Sequence, residues 1–274
     1  MQGILYIVAS PIGCLQDISA HALDILRSVN LIACEDTRHS ATLLNYYGIQ
    51  TPLKAYHSHN ENDCSEFLLK KLINGETIAL ISDAGTPLIH DPGLSIVQQA
   101  QKAGVRIVPI PGPCALITAL SASGLPAAQF IFDGFLPIKS TARIKHLESL
   151  KTQTRTQIFY EAPHRILECL QDMLTVFGKH KQVVLARELT KLHETFLSGT
   201  LSELISQLLA DPHQQKGEFV ILVAGATELD DDAIAQAKNI FATLTKELPH
   251  KQAAALTAKI TGVAKNTIYQ WGLE

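Results

Sequence analysis

The stretch Thr77-Ile78-Ala79-Leu80-Ile81-Ser82-Asp83-Ala84-Gly85-Thr86-Pro87-Leu88-Ile89-His90-Asp91-Pro92-Gly93 sets the frame for the whole chain. Ile78 to Ile81 is a short unbroken apolar run, the pattern of a strand buried on both faces, and it stops at a loop of small residues, a carboxylate and a hydroxyl. In open α/β sheets, ligands sit in the crevice beyond the carboxyl ends of the strands. Two turns punctuated by Gly and Pro exceed what a simple connection needs, so the loop is read as a ligand loop.

The same grammar repeats on either side. Ile4 to Ala9 reads as a strand followed by Ser10-Pro11-Ile12-Gly13, and Ser19 is placed to cap a helix through Leu23, Leu26 and Val29. Leu31 to Cys34 is a strand ending in Glu35-Asp36-Thr37-Arg38, with a helix expected from His39 to Tyr47. Leu53 to Tyr56 runs into His57-Ser58-His59-Asn60-Glu61, and Val105 to Ile110 runs into Pro111-Gly112-Pro113-Cys114-Ala115, where a further helix starts. A strand followed by a helix, with polar or small residues gathered at the strand ends, predicts a mainly parallel α/β sheet.

Ser123-Gly124-Leu125-Pro126 marks a boundary, after which the strands are more closely spaced and predict a mixed sheet with helices. From Asp230 the chain reads as helix, glycine turn, helix, with Thr261 to Tyr269 shaped like a helix-turn-helix. The expected division is therefore an α/β domain over 1–122, a second α/β domain over 123–228 and a helical segment over 229–274.

Composition narrows the function. The 274 residues are 46% hydrophobic and 18% charged, which fits a globular protein and excludes a disordered one. No apolar stretch approaches the ~20 residues of a membrane span, and the N-terminus lacks a basic lead, so a cytoplasmic protein with no membrane association is expected. Five scattered cysteines without Cys-x-x-Cys spacing predict no zinc site, and His57-x-His59-x-Glu61 is read as facing substrate or capping a helix; no metal is expected. The net charge of -3 is unevenly spread. Lys139, Arg143, Lys145, Lys151 and Arg155 form one basic run, and Lys246, Lys251, Lys259 and Lys265 another. Neither a phosphate loop nor a Gly-x-Gly-x-x-Gly fingerprint is present, which demotes nucleotide hydrolysis and hydride transfer.

Taken together, Ser10-Pro11-Ile12-Gly13, Glu35-Asp36-Thr37-Arg38, Tyr56-His57-Ser58-His59-Asn60-Glu61, the 82–93 loop, Pro111-Gly112-Pro113, Gly134-Phe135-Leu136-Pro137 and Arg187-Glu188-Leu189-Thr190-Lys191 resemble the tetrapyrrole methylase family, and most of all its branch acting on small-subunit ribosomal RNA. The resemblance covers about residues 4 to 225, and the C-terminal helices resemble that branch's helix-turn-helix-like tail. It implies a homodimeric enzyme of two α/β domains that uses S-adenosylmethionine, held in the cleft between them, to methylate the ribose 2'-oxygen of a cytidine in the decoding region of 16S RNA, within the assembled subunit. By motif match the donor would be held by Ile12, by Gly85, Thr86 and Ile89, and by Cys114 and Ala115, with Asp83 adjacent and Tyr160 flanking from the second domain. Porphyrin and corrin methylases carry Gly-Pro-Gly-Asp-Pro where this chain has Ser10-Pro11-Ile12-Gly13, which favours the RNA branch.

Methyl transfer is an in-line displacement that needs a 2'-hydroxyl held in near-attack geometry and a group to take its proton. Asp36, His59, Glu61, Glu188 and Lys191 are candidates by position, and the assignment made is Asp36, Arg38 and Lys191, with Arg38 on a phosphate. The competing readings are a methylase of a small molecule such as a corrin precursor and a ligand-sensing, DNA-binding regulator.

Overall fold

The computed structural model describes residues 2–226, 231–263 and 265–271. The chain divides into two compact units, Met1–Ala122 with Ala186–Thr195, and Ser123–Leu185 with Phe196–Glu274. The division is discontinuous where the sequence suggests consecutive segments: a ten-residue piece containing Glu188 and Lys191 groups with the N-terminal unit, and the C-terminal helices group with the second.

The first unit runs β1 (Ile4–Val8), α1 (Ala20–Ser28), β2 (Leu31–Cys34), α2 (Thr37–Tyr46), β3 (Leu53–Ala55), α3 (Glu61–Ile73), β4 (Ile78–Ile81), α4 (Leu94–Lys102), β5 (Arg106–Ile110) and α5 (Ala115–Ala122). Its sheet has the order β3-β2-β4-β1-β5 and every pairing is parallel. All four residues of β4 are buried, as are all four of β2, because helices cover both faces. Alternate residues divide between the faces. Val8, Ile32, Cys34, Ala79 and Ile81 pack with Ala22 and Leu26 of α1 and with Leu43 and Leu44 of α2. Leu5, Leu31, Ala33, Ile78 and Leu80 pack with Leu68 and Leu72 of α3 and with Ile96 and Ala100 of α4.

This topology positions the site. The chain leaving β4 turns to one face, while the chains leaving its neighbours β1 and β2 turn to the other. Loops diverge on both sides of β4, opening crevices at its carboxyl end where an α/β sheet binds ligands. The Ser19 hydroxyl accepts from the Ala22 N–H at 3.0 Å, the expected cap of α1. Helix α2 starts two residues earlier than expected, at Thr37, because Asp36 is its N-cap.

The second unit holds β6 (Phe130–Phe135), α6 (Ser140–Leu150), β7 (Thr156–Glu161), α7 (Ile166–Phe177), β8 (Gln182–Arg187) up to Leu185, β9 (Thr195–Thr200) from Phe196, α8 (Leu201–Ala210) and β10 (Phe219–Val223), followed by α9 (Asp231–Leu244), α10 (His250–Thr261) and α11 (Lys265–Gln270). Sheet order is β6-β7-β10-β8-β9, and it is mixed: β7 runs parallel to β6 and antiparallel to β10. Phe159, Leu185, Ile221 and their neighbours form one core with Leu147, Leu170, Met173, Leu204 and Leu208 of the covering helices. The last three helices share a small core of Ala237, Phe241, Ala253, Ala254, Val263 and Ile268, and α10 ends at Gly262 as the helix-turn-helix pattern expects, although Ala264 of that turn lies outside the described residues. No helix among the described residues is long and apolar enough to cross a membrane.

Arg143 corrects the basic run read from the sequence. Its side chain is fully buried, donating to Asp172 and Glu168, each at 2.7 Å, so it offers nothing to a polyanion outside. Lys139, Lys145, Lys151 and Arg155 are exposed, as are Lys246, Lys251, Lys259 and Lys265.

Candidate functional site

Three loops at the carboxyl end of the first sheet are bonded to one another because the strands that feed them, β4, β1 and β5, are neighbours. Ser10 and Gly85 exchange backbone hydrogen bonds, with Ser10 N–H to Gly85 O at 2.8 Å and Gly85 N–H to Ser10 O at 3.1 Å. The buried Ser10 hydroxyl also donates to Ser82 O at 3.0 Å. The Thr86 hydroxyl crosses to the third loop, donating to Pro113 O at 2.9 Å. Gly85 adopts the left-handed φ of 87°, and a Cβ there would lie 3.5 Å from Ile12 Cγ2, so the backbone and the Ile12 methyl lie side by side.

The donor-pocket candidates fall as follows. Ile12 is buried, Ile89 is exposed, and Cys114 and Ala115 are half-buried at the start of α5. Leu88 and Ile89's neighbour His90 take positive φ values of 72° and 71°, a strained loop held by Ile89 N–H on Thr86 O at 3.3 Å. Tyr160 lies in the second unit, edge-on to Phe132 with ring centroids 4.8 Å apart. Asp83 accepts from the Asp36 N–H at 3.0 Å, so it ties the β4 loop to the end of β2.

Asp36 and Arg38 act as one unit. The Asp36 carboxylate accepts from the Arg38 backbone N–H at 2.8 Å and from its guanidinium Nη2 at 3.0 Å. That arginine holds the Asp36 carboxyl down to about 2, which leaves it a weak base. Glu61 accepts from the Gly93 and Ser95 N–H groups, both at 3.1 Å, and from the Tyr56 hydroxyl, so its carboxylate fixes the turn before α4. It is a capping group.

Lys191 lies elsewhere in the sequence but on the same unit. Its Nζ contacts Glu188 Oε1 at 3.0 Å, and its stem lies against the loop that follows β1: a Cβ on Gly13 would sit 2.7 Å from Lys191 Cγ. The Cys14 N–H donates to the Thr190 hydroxyl at 3.0 Å. The sequence offers Thr190 only as part of the Arg187–Lys191 motif; its bond to Cys14 spans 176 positions, and no local pattern announces it. Glu188 and Thr190 hold φ values of 50° and 61°, conformations that cost non-glycine residues about 1–3 kcal/mol each. Strain of that kind persists where a turn must hold its side chains in a fixed place.

Gly13 is therefore a close-approach position. Gly13→Ala would bring its Cβ to 2.6 Å from Thr190 Oγ1 and 2.8 Å from Leu189 O. The expected result is a stability loss of about 1–3 kcal/mol in thermal unfolding, as for other overpacked sites, together with weaker binding of the methyl donor. Unchanged melting and unchanged donor affinity would show that the turn does not rest on this loop.

Comparison with known proteins agrees with this architecture. The family described as Tetrapyrrole (Corrin/Porphyrin) Methylases matches residues 4–205, and the RsmI C-terminal HTH domain matches residues 231–274. The ribosomal RNA small subunit methyltransferase I of Pseudomonas aeruginosa is 54% identical over 99% of this chain and 97% of its own length. That of Vibrio cholerae is also 54% identical, over 99% of this chain and 94% of its own. Among solved structures, diphthine synthase aligns with a TM-score of 0.61 at 15% identity, covering 81% of this chain and 90% of that one. The uroporphyrin-III C-methyltransferase of Thermus thermophilus complexed with S-adenosylhomocysteine gives 0.55 at 15% identity, over 80% and 97% of the two chains; both likenesses speak to the fold. The chain belongs to the tetrapyrrole methylase family and, within it, to the ribosomal RNA small subunit methyltransferase I proteins.

Proposed function

We propose that this protein transfers a methyl group from S-adenosylmethionine to the 2'-hydroxyl of a cytidine in the decoding region of small-subunit ribosomal RNA, working as a homodimer on the assembled subunit. The observation that carries the reading is the juxtaposition, within one unit, of the three bonded loops with the strained turn that bears Lys191. Relatives over the whole length are methyltransferases named for small-subunit ribosomal RNA, which supports RNA over a corrin precursor as acceptor and over a regulatory role.

The residues present suit a sulfonium donor. Glu35 and Asp91 are each held above the usual carboxylate range, first by burial and then by like charge, with Asp83 common to both. Burial is the larger cause at both, and a cation held beside these carboxyls would favour their charged forms. The bound donor would supply an activated methyl carbon; Ile12, Gly85, Thr86, Ile89, Cys114 and Ala115 would hold it, with Asp83 fixing the loop. The chain then has to hold the acceptor ribose and manage one proton. Lys191 Nζ, paired with Glu188, can stabilise the oxygen as its proton leaves, and the Glu188 carboxylate can take that proton. Arg38, oriented by Asp36, would grip a phosphate, and the exposed lysines of both units would add non-specific attraction.

The deciding experiment is incubation of small subunits lacking the modification with labelled donor, followed by mapping of ribose methylation. Label at a single cytidine is the expected result, and unlabelled RNA would overturn the reading. A pH test bears on Asp36. Its folded pKa lies below the ordinary value of about 3.9, so any stability it contributes is present above that value and is lost as pH falls toward about 2. Across roughly pH 5 to 9 it stays ionised. The kcat profile should therefore carry no limb from Asp36, and Asp36→Asn should raise KM for subunits without moving the profile. A limb that disappears in Asp36→Asn would restore it as the base.

A further inference from the structure

We propose that Glu61 is a positioning residue for the methyl donor: from the start of α3, its carboxylate pins the loop between β4 and α4 in the shape that presents Ile89, an inference that rests on the reading of that loop as one wall of the donor pocket. Helices α3 and α4 cover the same face of the first sheet, which brings the first residue of one beside the first turn of the other. There Glu61 Oε1 accepts from the Gly93 N–H and the Ser95 N–H, both at 3.1 Å. The carboxylate is itself aimed. The fully buried Tyr56 donates its hydroxyl to the same oxygen at 3.1 Å and lies 3.0 Å from Ser65 Oγ.

The need for so distant a carboxylate arises at Gly93. A helix start is ordinarily capped by Ser, Thr, Asp or Asn at the residue before it. Position 93 disfavours all of these, because it holds a φ of 138° and a Cβ there would lie 2.9 Å from Leu80 Cδ2 and 3.0 Å from Leu88 Cδ1. The glycine lets Leu88 fold back onto the core beneath α4, and it leaves the helix without a side-chain cap of its own. Leu88 and His90, on either side of Ile89, hold left-handed conformations that non-glycine residues keep only where their surroundings enforce them. One end of this stretch is held by Thr86, whose carbonyl accepts the Ile89 N–H at 3.3 Å and whose hydroxyl reaches Pro113 O. Glu61 holds the other end through Gly93. Without it the strained stretch is free to relax, and Ile89 moves with the backbone; Glu61 thus acts through the loop and has no need to touch the donor.

Calorimetric titration with S-adenosylhomocysteine on three variants separates position from charge. Glu61→Gln keeps an oxygen where both N–H groups need it and should bind within about threefold of the parent. Glu61→Asp keeps the charge but draws it back by a methylene, and Glu61→Ala removes it. Both should weaken binding by about tenfold, the loss of one charge-assisted hydrogen bond, and should raise KM for the donor more than they lower kcat. Parent affinity in Glu61→Asp and Glu61→Ala, with only a lower melting temperature, reduces Glu61 to a helix cap and overturns the proposal. Parent affinity in Glu61→Asp with a loss in Glu61→Gln overturns it too, since charge and not position would then be what the donor feels. If Glu61→Ala does not fold, the Asp and Gln variants still decide. Gly85→Ala tests the loop itself: at a φ of 87° any side chain is strained, so binding should weaken there as well. If Gly85→Ala and the Glu61 variants all bind as the parent does, the reading of the loop as a donor wall falls together with this inference.

Discussion

Lys191→Met is expected to lower kcat for subunit methylation by about 10²- to 10⁴-fold, the range for a group that assists proton transfer, while leaving S-adenosylhomocysteine affinity close to the parent's. The substitution separates two roles that the side chain plays. Its stem lies against Gly13, with Cγ 2.7 Å from where a Cβ would be, and methionine keeps that packing almost atom for atom. Its ammonium contacts Glu188 Oε1 at 3.0 Å, and methionine removes it. A purely structural lysine would therefore lose little, whereas a lysine acting on the ribose oxygen would lose most of its turnover. Lys191→Arg sharpens the distinction: it keeps the charge, but its planar fork cannot reproduce a compact ammonium, so only partial recovery is expected. Single-turnover rates with subunits are the measurement. Turnover within about threefold of the parent in Lys191→Met would exclude the ammonium from the chemistry.

Much of the first unit was legible because a parallel sheet covered on both faces leaves a plain trace. Ile78 to Ile81 and Leu31 to Cys34 are unbroken apolar runs, and both are wholly buried. The ends of such runs mark the site, which is why the loops at Ser10, Ser82 and Pro111 could be picked out before their geometry was known. Strand order could not be read: β1 and β4 are neighbours only because the chain leaving each passes over the other strand, and no residue spacing encodes that. The same limit hid the link from Cys14 to Thr190. Asp36 shows a different kind of failure. A carboxylate at a strand end looks like a base, yet an aspartate just before a helix is also a cap, and its pairing with Arg38 depends on a helix start that the apolar pattern alone placed two residues late.

Arg143 is the clearest case of a residue whose charge misled, and it makes a second strong prediction. It shares the buried face of α6 with Leu147, four residues on, while Asp172 shares the buried face of α7 with Cys169 and Met173. The two charges meet where the helices pack. The guanidinium donates to Asp172 and Glu168, each at 2.7 Å, and to Ile138 O at 3.2 Å, and Ser140 completes Asp172 at 3.0 Å. Arg143→Met would leave the nearly buried Asp172 carboxylate without its cation, a change that costs about 3–5 kcal/mol. At about 2–4 °C per kcal/mol for a domain of this size, Tm should fall by roughly 6–20 °C. Asp172→Leu should also destabilise, because it leaves the buried arginine with Glu168 as its only anion. The double variant Arg143→Met with Asp172→Leu should recover most of the loss, since exchanging a whole buried pair for apolar side chains is close to neutral. Calorimetry on the four proteins closes the cycle. If the double variant is as unstable as the sum of the singles, the pair is not coupled, and the cost comes instead from freeing the carbonyl of Ile138, which would then melt the loop that carries exposed Ile138 and Lys139.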